Sequence, residues 1–199
     1  VSKKLYLPNK FKILRDVEEM VNQRGMTFIE VLVALFILVT GILGAVAMQT
    51  TAKQSSFDAM QRSLASALLQ DIIERMRSNS ADAPVLALYD GTSWGNTALA
   101  VPAVRCNLLA DNCTSNQLAT NDLFEWTQLL RGAEAVLNGA QVGGLINPTG
   151  CIVTNGQTVT ISISWEGRKE ISDGAASKNS NCGSASTKRR QVNLTAFLF

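Results

Sequence analysis

The chain contains no histidine. That absence excludes the Ser-His-Asp and Cys-His nucleophile systems, the His-Glu-x-x-His zinc site and most transition-metal sites. There is no glycine-rich loop ending in Lys-Ser or Lys-Thr to cradle a phosphate. The four cysteines, Cys106, Cys113, Cys151 and Cys182, never adopt the Cys-x-x-Cys spacing of zinc and redox sites. No pair of carboxylates stands out from a scatter of surface acids. The expectation is a protein that is not an enzyme and that needs no cofactor or metal.

Charge is missing from one long stretch. From Val31 to Met48 no residue is ionisable. A helix from Met26 to Met48 would be about 34 Å long at about 1.5 Å per residue, enough to cross a bilayer core of about 30 Å. Glu30 stands alone at the start of this run. A carboxylate at membrane depth costs on the order of 2.5–3.5 kcal/mol on insertion scales, so it calls for a positive partner.

The net charge of +2 is small but unevenly placed. Lys3, Lys4, Lys10, Lys12, Arg15 and Arg24 precede Gly25, against Asp16, Glu18 and Glu19. Positive charge flanking an apolar segment holds that end in the cytoplasm and sends the remainder outward. No repetitive pattern accompanies these basic residues, so nucleic acid is not an expected partner. The leader from Val1 to Gly25 has no apolar centre and no small-x-small cleavage site, unlike an ordinary secretory signal. A cut after Gly25 would release the leader and keep the apolar anchor. An even number of cysteines beyond the anchor, in an exported domain, favours two disulfides. Three connectivities are open, and Cys106–Cys113 with Cys151–Cys182 is the preferred one.

Helical periodicity continues past the apolar run. Phe57, Met60, Leu64, Leu68, Ile72 and Met76 recur every three or four residues, opposite Gln54, Asp58, Arg62, Ser66, Gln70 and Glu74. Asp58–Arg62 and Asp71–Arg75 are acid-first pairs at the i,i+4 spacing. With Ser78-Asn79-Ser80 as the stop, one helix of roughly 80 Å is expected from about Met26 to about Arg77. Gly41 and Gly44 interrupt its apolar half, either as close-packing positions or as a soft point. From Ala81 to Thr120 the residues read as a long connection with at most short strands, and Trp94 as a packing anchor. Asp122 and Glu125 resemble a capping box opening a second helix that carries Leu123, Trp126, Leu130 and Leu137 on one face and stops at Gly139. After Gly150 the period becomes two. Cys151–Thr154 and Gln157–Trp165 flank the hairpin signal Asn155-Gly156. Val159, Ile161, Ile163 and Trp165 share the face expected toward the long helix. Glu166 to Thr187 reads as a polar loop anchored by Cys182. Lys188-Arg189-Arg190 reads as a solvated entrance to a last strand with Val192, Leu194, Ala196 and Leu198 alternating.

A glycine-cut basic leader, a half-apolar long helix and a small antiparallel sheet together resemble the type IV pilin family. The residues that carry the resemblance are Gly25, Met26 and the run Thr27-Phe28-Ile29-Glu30-Val31-Leu32-Val33-Ala34-Leu35. Major pilins, minor pilins and the pseudopilins of type II secretion share this signature. Glu74-Arg75-Met76-Arg77-Ser78-Asn79, the Trp126 helix, Ser164-Trp165-Glu166-Gly167 and Arg189-Arg190 resemble segments of minor pilins. Met26 departs from the usual phenylalanine, and the leader is longer than many.

The resemblance implies an α+β fold divided into a leader over 1–25, a membrane or filament-core helix over 26–48, its amphipathic continuation over 49–78 and an exported domain over 79–199. It implies that a prepilin peptidase cuts after Gly25 and methylates the Met26 amine, which then pairs with Glu30. The implied partners are that peptidase, other minor and major pilins, the inner-membrane assembly platform and the bilayer. The implied location is the inner membrane, single pass with a periplasmic C-terminal domain, and later the pilus near its tip. The implied role is to prime or nucleate pilus assembly. A minor pseudopilin, or a signal-anchored periplasmic protein with no pilus role, are the competing readings.

Overall fold

A computed structural model describes residues 25–80, 82–107, 112–133, 135–171 and 182–199. The basic leader up to Arg24 and most of the loop before Cys182 lie outside the described residues. The chain divides into two compact units, Val1–Thr50 and Thr51–Phe199. A single helix, α1 (Phe28–Asn79), has residues in both.

In the first unit no described residue packs over the helix. Every residue from Gly25 to Thr50 is exposed, among them Phe36, Ile37 and Leu43. The hydroxyls of Thr40 and Thr50 are satisfied inside the helix. Thr40 Oγ1 donates to the carbonyls of Phe36 and Ile37, each at 3.0 Å, and Thr50 Oγ1 donates to that of Ala47 at 2.8 Å. Such back-bonding lets a threonine sit in apolar surroundings without an orphaned polar group.

The second unit is a helix-on-sheet domain. After α1 come a one-turn helix α2 (Ala83–Leu86), a 3-10 turn (Ala87–Tyr89) and the short strand β1 (Gly91–Trp94). Helix α3 (Ser115–Arg131) follows, then a small ribbon of β2 (Val136–Leu137) and β3 (Ala140–Gln141). Strands β4 (Thr149–Asn155), β5 (Thr158–Glu166) and β6 (Arg189–Phe197) complete an antiparallel sheet in the order β1-β4-β5-β6. Val159, Ile161, Ile163 and Trp165 on β5 are buried against Leu68, Ile72 and Met76 of α1 and Leu123, Trp126 and Leu130 of α3. Trp94 packs on the rim of this core.

Several expectations shift once the contacts are visible. The buried stripe of α1 is Gln61, Ala65, Leu68, Leu69, Ile72, Ile73 and Met76, whereas Met60 is 57% exposed. Gln61 is buried because its amide is used twice: Nε2 donates to the Gly144 carbonyl and Oε1 accepts from the Ile146 N–H, both at 3.2 Å. Asp58 pairs with Arg190 at 3.6 Å instead of with Arg62. Asp71–Arg75 does form, at 2.9 Å.

Helix α3 begins seven residues before Asp122. The reciprocal capping box belongs to Thr114 and Gln117, so Asp122 and Glu125 lie inside the helix. It ends at Gly132, whose φ of +66° gives the left-handed C-cap that glycine adopts without a Cβ clash. Gly139 instead shares a turn with Asn138, both at positive φ, that joins β2 to β3 and takes Leu137 off the helix. Helix propensity does not distinguish two glycines seven residues apart; the contact of Gly132 with Gly144 does, since a Cβ on Gly132 would overlap the Gly144 backbone.

The β4–β5 hairpin closes one residue later than the Asn-Gly signal suggests. Asn155 pairs with Thr158, leaving Gly156 and Gln157 as the two-residue loop with Gly156 at φ +62°. Glycine at the first loop position is one of the two favoured hairpin turns.

The basic entrance to β6 is not solvated. Arg189 is buried, and its Nη1 donates to the carbonyls of Cys182 and Gly183 at 2.9 and 2.7 Å. Arg190 reaches the Lys169 carbonyl at 2.7 Å as well as Asp58. A guanidinium offers five donors in a fixed fork, which suits it to gathering loop carbonyls.

Candidate functional site

Gly25 and Met26 are exposed and precede the helix, which starts at Phe28. Neither residue belongs to a helix or strand, and both stand open to solvent ahead of α1. Glu30 occupies the first turn of α1, and its N–H bonds the Thr27 carbonyl at 3.1 Å. A carboxylate there complements the positive end of the helix dipole. In this chain the Met26 nitrogen is a peptide nitrogen and carries no charge. Beyond Glu30 the apolar run offers a continuous uncharged surface, and one helix among the described residues is long and apolar enough to cross a membrane. A Cβ at Gly41 or Gly44 would meet nothing within 4 Å, so the described residues supply no packing reason for either glycine.

Within the second unit a polar cluster ties the end of α1 to α3 and to the turn at Tyr89. Arg75 donates to Asp71 at 2.9 Å, to Glu125 at 2.8 Å and to Asp122 at 3.3 Å. Tyr89 donates its hydroxyl to Asp122 at 2.7 Å, and Asn79 bonds both the Tyr89 oxygen and the Ser115 carbonyl. Arg105 pairs with Glu125 at 3.0 Å while stacking 4.9 Å from the Phe124 ring centroid. Burial pushes the Asp122 carboxyl above its ordinary range, against the opposing pull of Tyr89 and Arg75. Burial also works to raise Glu125, but hydrogen bonds from Arg75 and Asn121 outweigh it and hold that carboxyl low. Burial and Asp122 together push the Tyr89 hydroxyl up. Burial would lower Arg75, and its acidic partners more than reverse that. These are perturbed groups of the kind active sites use, yet every one is consumed by a structural partner. Among the described residues no group of three or more His, Cys, Asp or Glu side chains is placed to hold a metal ion.

The cysteines join as Cys106–Cys113 and Cys151–Cys182, over separations of 7 and 31 residues. The second bond ties the segment before β6 to β4. Trp126 is fully buried, and its indole donates to the Leu68 carbonyl at 2.9 Å, locking α3 to α1. Gly150 makes this possible, because a Cβ there would lie 2.5 Å from the indole. Sequence reasoning missed Gln61, the packing role of Gly150 and the reach of Arg75 beyond Asp71 to Asp122 and Glu125. A glutamine on the apolar stripe of α1 was the one available hint.

An uncovered apolar half-helix with its outer half packed on a small four-stranded antiparallel sheet is the type IV pilin fold. Family comparison agrees. A model described as Type IV pilin Tt1218 matches residues 47–124, and one described as the prokaryotic N-terminal methylation motif matches residues 20–46. The two matches support a type IV pilin family for this chain, a family that suggests a structural role. No curated protein and no solved structure gives a match. The methylation motif and the apolar helix together support anchoring in the inner membrane with the C-terminal domain in the periplasm.

Proposed function

We propose that the chain is a minor pilin, of the PilV type, that primes or nucleates a type IV pilus beside other minor pilins. The observation that supports this most is the order of parts: Gly25, then Glu30, then an apolar half-helix that no described residue covers. A prepilin peptidase hydrolyses the Gly25–Met26 bond on the cytoplasmic side and methylates the amine released on Met26. The new ammonium and the Glu30 carboxylate neutralise each other, in the bilayer or between neighbouring subunits. At about 4 Å their attraction is about 4 kcal/mol at an effective dielectric of 20, against about 1 kcal/mol in water. Desolvation offsets much of that, so the pair sets register between helices more than it adds net stability.

The apolar half-helix then has two successive solvents, lipid before assembly and other helices afterwards. Divided this way, residues 26–48 serve as anchor and filament core, 49–78 as the handle and 79–199 as the exported domain, near the pilus tip. The force that extracts the helix from lipid comes from the assembly platform, not from this chain.

Mass spectrometry of the mature N-terminus tests the processing step. The expected chain starts at methylated Met26; a chain still carrying the leader in cells with active peptidase would sink the proposal. A deletion strain tests the system. Lost surface pili and twitching with secretion intact is the expected result, and lost secretion with pili intact assigns the chain to a pseudopilin instead.

A further inference from the structure

Between α3 and β4 the chain makes an excursion whose outer part, residues 135–139 and 141–143, is exposed. Gly132 closes α3, and at residues 143–145 the chain returns to it, where the Leu145 N–H bonds the Leu130 carbonyl at 2.9 Å. Between these anchors stands the two-stranded ribbon of β2 and β3, turned at Asn138-Gly139 and continued by the bond from Val142 N–H to the Ala135 carbonyl at 2.8 Å. Residues directly opposite in an antiparallel pair share a face, and faces alternate along each strand. Leu137 and Val142 therefore fall on one face with Ala135, and Val136 falls on the other with Gln141. Val136, Leu137 and Val142 are 59%, 63% and 58% exposed. From Ala135 to Trp165 the chain has no charged residue. An isolated two-stranded ribbon is marginal in water, and one that turns aliphatic side chains outward lacks the layer that would stabilise it.

We propose that the ribbon around Val136–Gln141 is a docking surface for the globular unit of a neighbouring pilin-type subunit. The inference rests on the reading of the chain as a pilin. Two observations select this occupant. The patch carries no lysine, arginine or tryptophan, the side chains that mark a surface for lipid headgroups. The ribbon is also too small to hold a freely diffusing partner. About six residues cover on the order of a few hundred Å², against roughly 1,200–2,000 Å² in a free-standing complex. A contact of that size matters only when the partner is already held alongside. Neighbouring apolar helices in one membrane or one fibre supply that, raising the effective concentration to about the millimolar range for short tethers.

The test uses the full-length chain in cells that make pili. Leu137→p-benzoylphenylalanine places a photo-crosslinker on the ribbon, and the same substitution at the exposed Ser66 of α1 serves as control. Expected is a light-dependent adduct of the Leu137 variant with another pilin-type subunit, of this or a different sequence. Adducts with lipid alone, or the same adducts from both positions, overturn the inference. In parallel, the double variant Leu137→Asp with Val142→Asp should keep its melting temperature in detergent while its recovery in sheared pili falls about tenfold. The milder Leu137→Ala with Val142→Ala is read in the same way, in case the aspartates disturb the ribbon. Unchanged recovery of the folded variants overturns the inference while leaving the pilin reading intact. An unprocessed wild-type chain absent from pili overturns both.

Discussion

The two halves of α1 share one backbone and solve opposite problems. From Val31 to Met48 no side chain is charged on any face, and every residue is exposed. From Gln61 to Met76 only one stripe is apolar, and it is buried under α3 and the sheet. A helix that is apolar on every face needs a surrounding medium, whereas an amphipathic one needs only a partner layer. The inner half therefore defers its burial to lipid or to other subunits, and the outer half completes its burial at once. The polar groups divide in the same way. Thr40 and Thr50 are satisfied within the helix, while Gln61 and Arg75 reach across to other elements.

That contrast is most directly broken at Trp126. Trp126→Ala removes the side chain that locks α3 to α1 and should cost about 3–5 kcal/mol of domain stability. Thermal melting should show this loss while membrane insertion of the inner half, measured by fractionation, stays as in the wild type. A loss of insertion would mean that the halves are not independent in this sense. Glu30→Ala is the converse. The variant should insert and its domain should melt normally, but its incorporation into pili should fall about tenfold, which corresponds to about 1.4 kcal/mol. Normal incorporation would show the charge pair to be dispensable.

Smaller effects sharpen the account of the outer domain. Thr114→Ala deletes the side-chain cap of α3 and should lower domain stability by about 1 kcal/mol. Read by chemical denaturation, no change would mean that the Gly132 end and the Trp126 contact alone hold the helix. The smallest effect is a pair of opposed pH dependences within the Arg75 cluster. Asp122 is raised in the folded chain, so its contribution is present at low pH and is lost as pH rises from its ordinary 3.8 through the folded value. Glu125 is lowered, so its contribution is present above its ordinary 4.5 and is lost as pH falls through the folded value. Melting temperatures of wild type minus Asp122→Asn should thus decline with rising pH, and those of wild type minus Glu125→Gln should climb. Equal slopes would show that Arg75 does not distinguish the two acids.

Much of the fold was legible because its signals are local. The change of period from 3.6 to 2 after Gly150, the long proline-free helix and the apolar face of β5 all depend on near neighbours in sequence. Errors fell at the ends of α3 and at the entrance to β6. The helix was expected to open at Asp122 and stop at Gly139, but it opens at the Thr114–Gln117 box and stops at Gly132, whose backbone meets that of Gly144. Lys188-Arg189-Arg190 looked like a solvated run because charge is normally outside; loop carbonyls from Lys169, Cys182 and Gly183 brought two of its arginines in.

By itself the sequence determined the order Gly25, Glu30, apolar run and amphipathic continuation. Placement along the chain, spacing and the absence of charge are properties of a string, and hydrophobic burial and helix geometry act on them without any fold. Tertiary structure alone decided which partners the polar groups of the outer domain take. Arg75 meets Asp122 across 47 positions and Gln61 meets Ile146 across 85. No local period encodes such a meeting, because it arises only when α3 and the sheet close over α1 and buried polar atoms must find whatever partner packing has brought within reach.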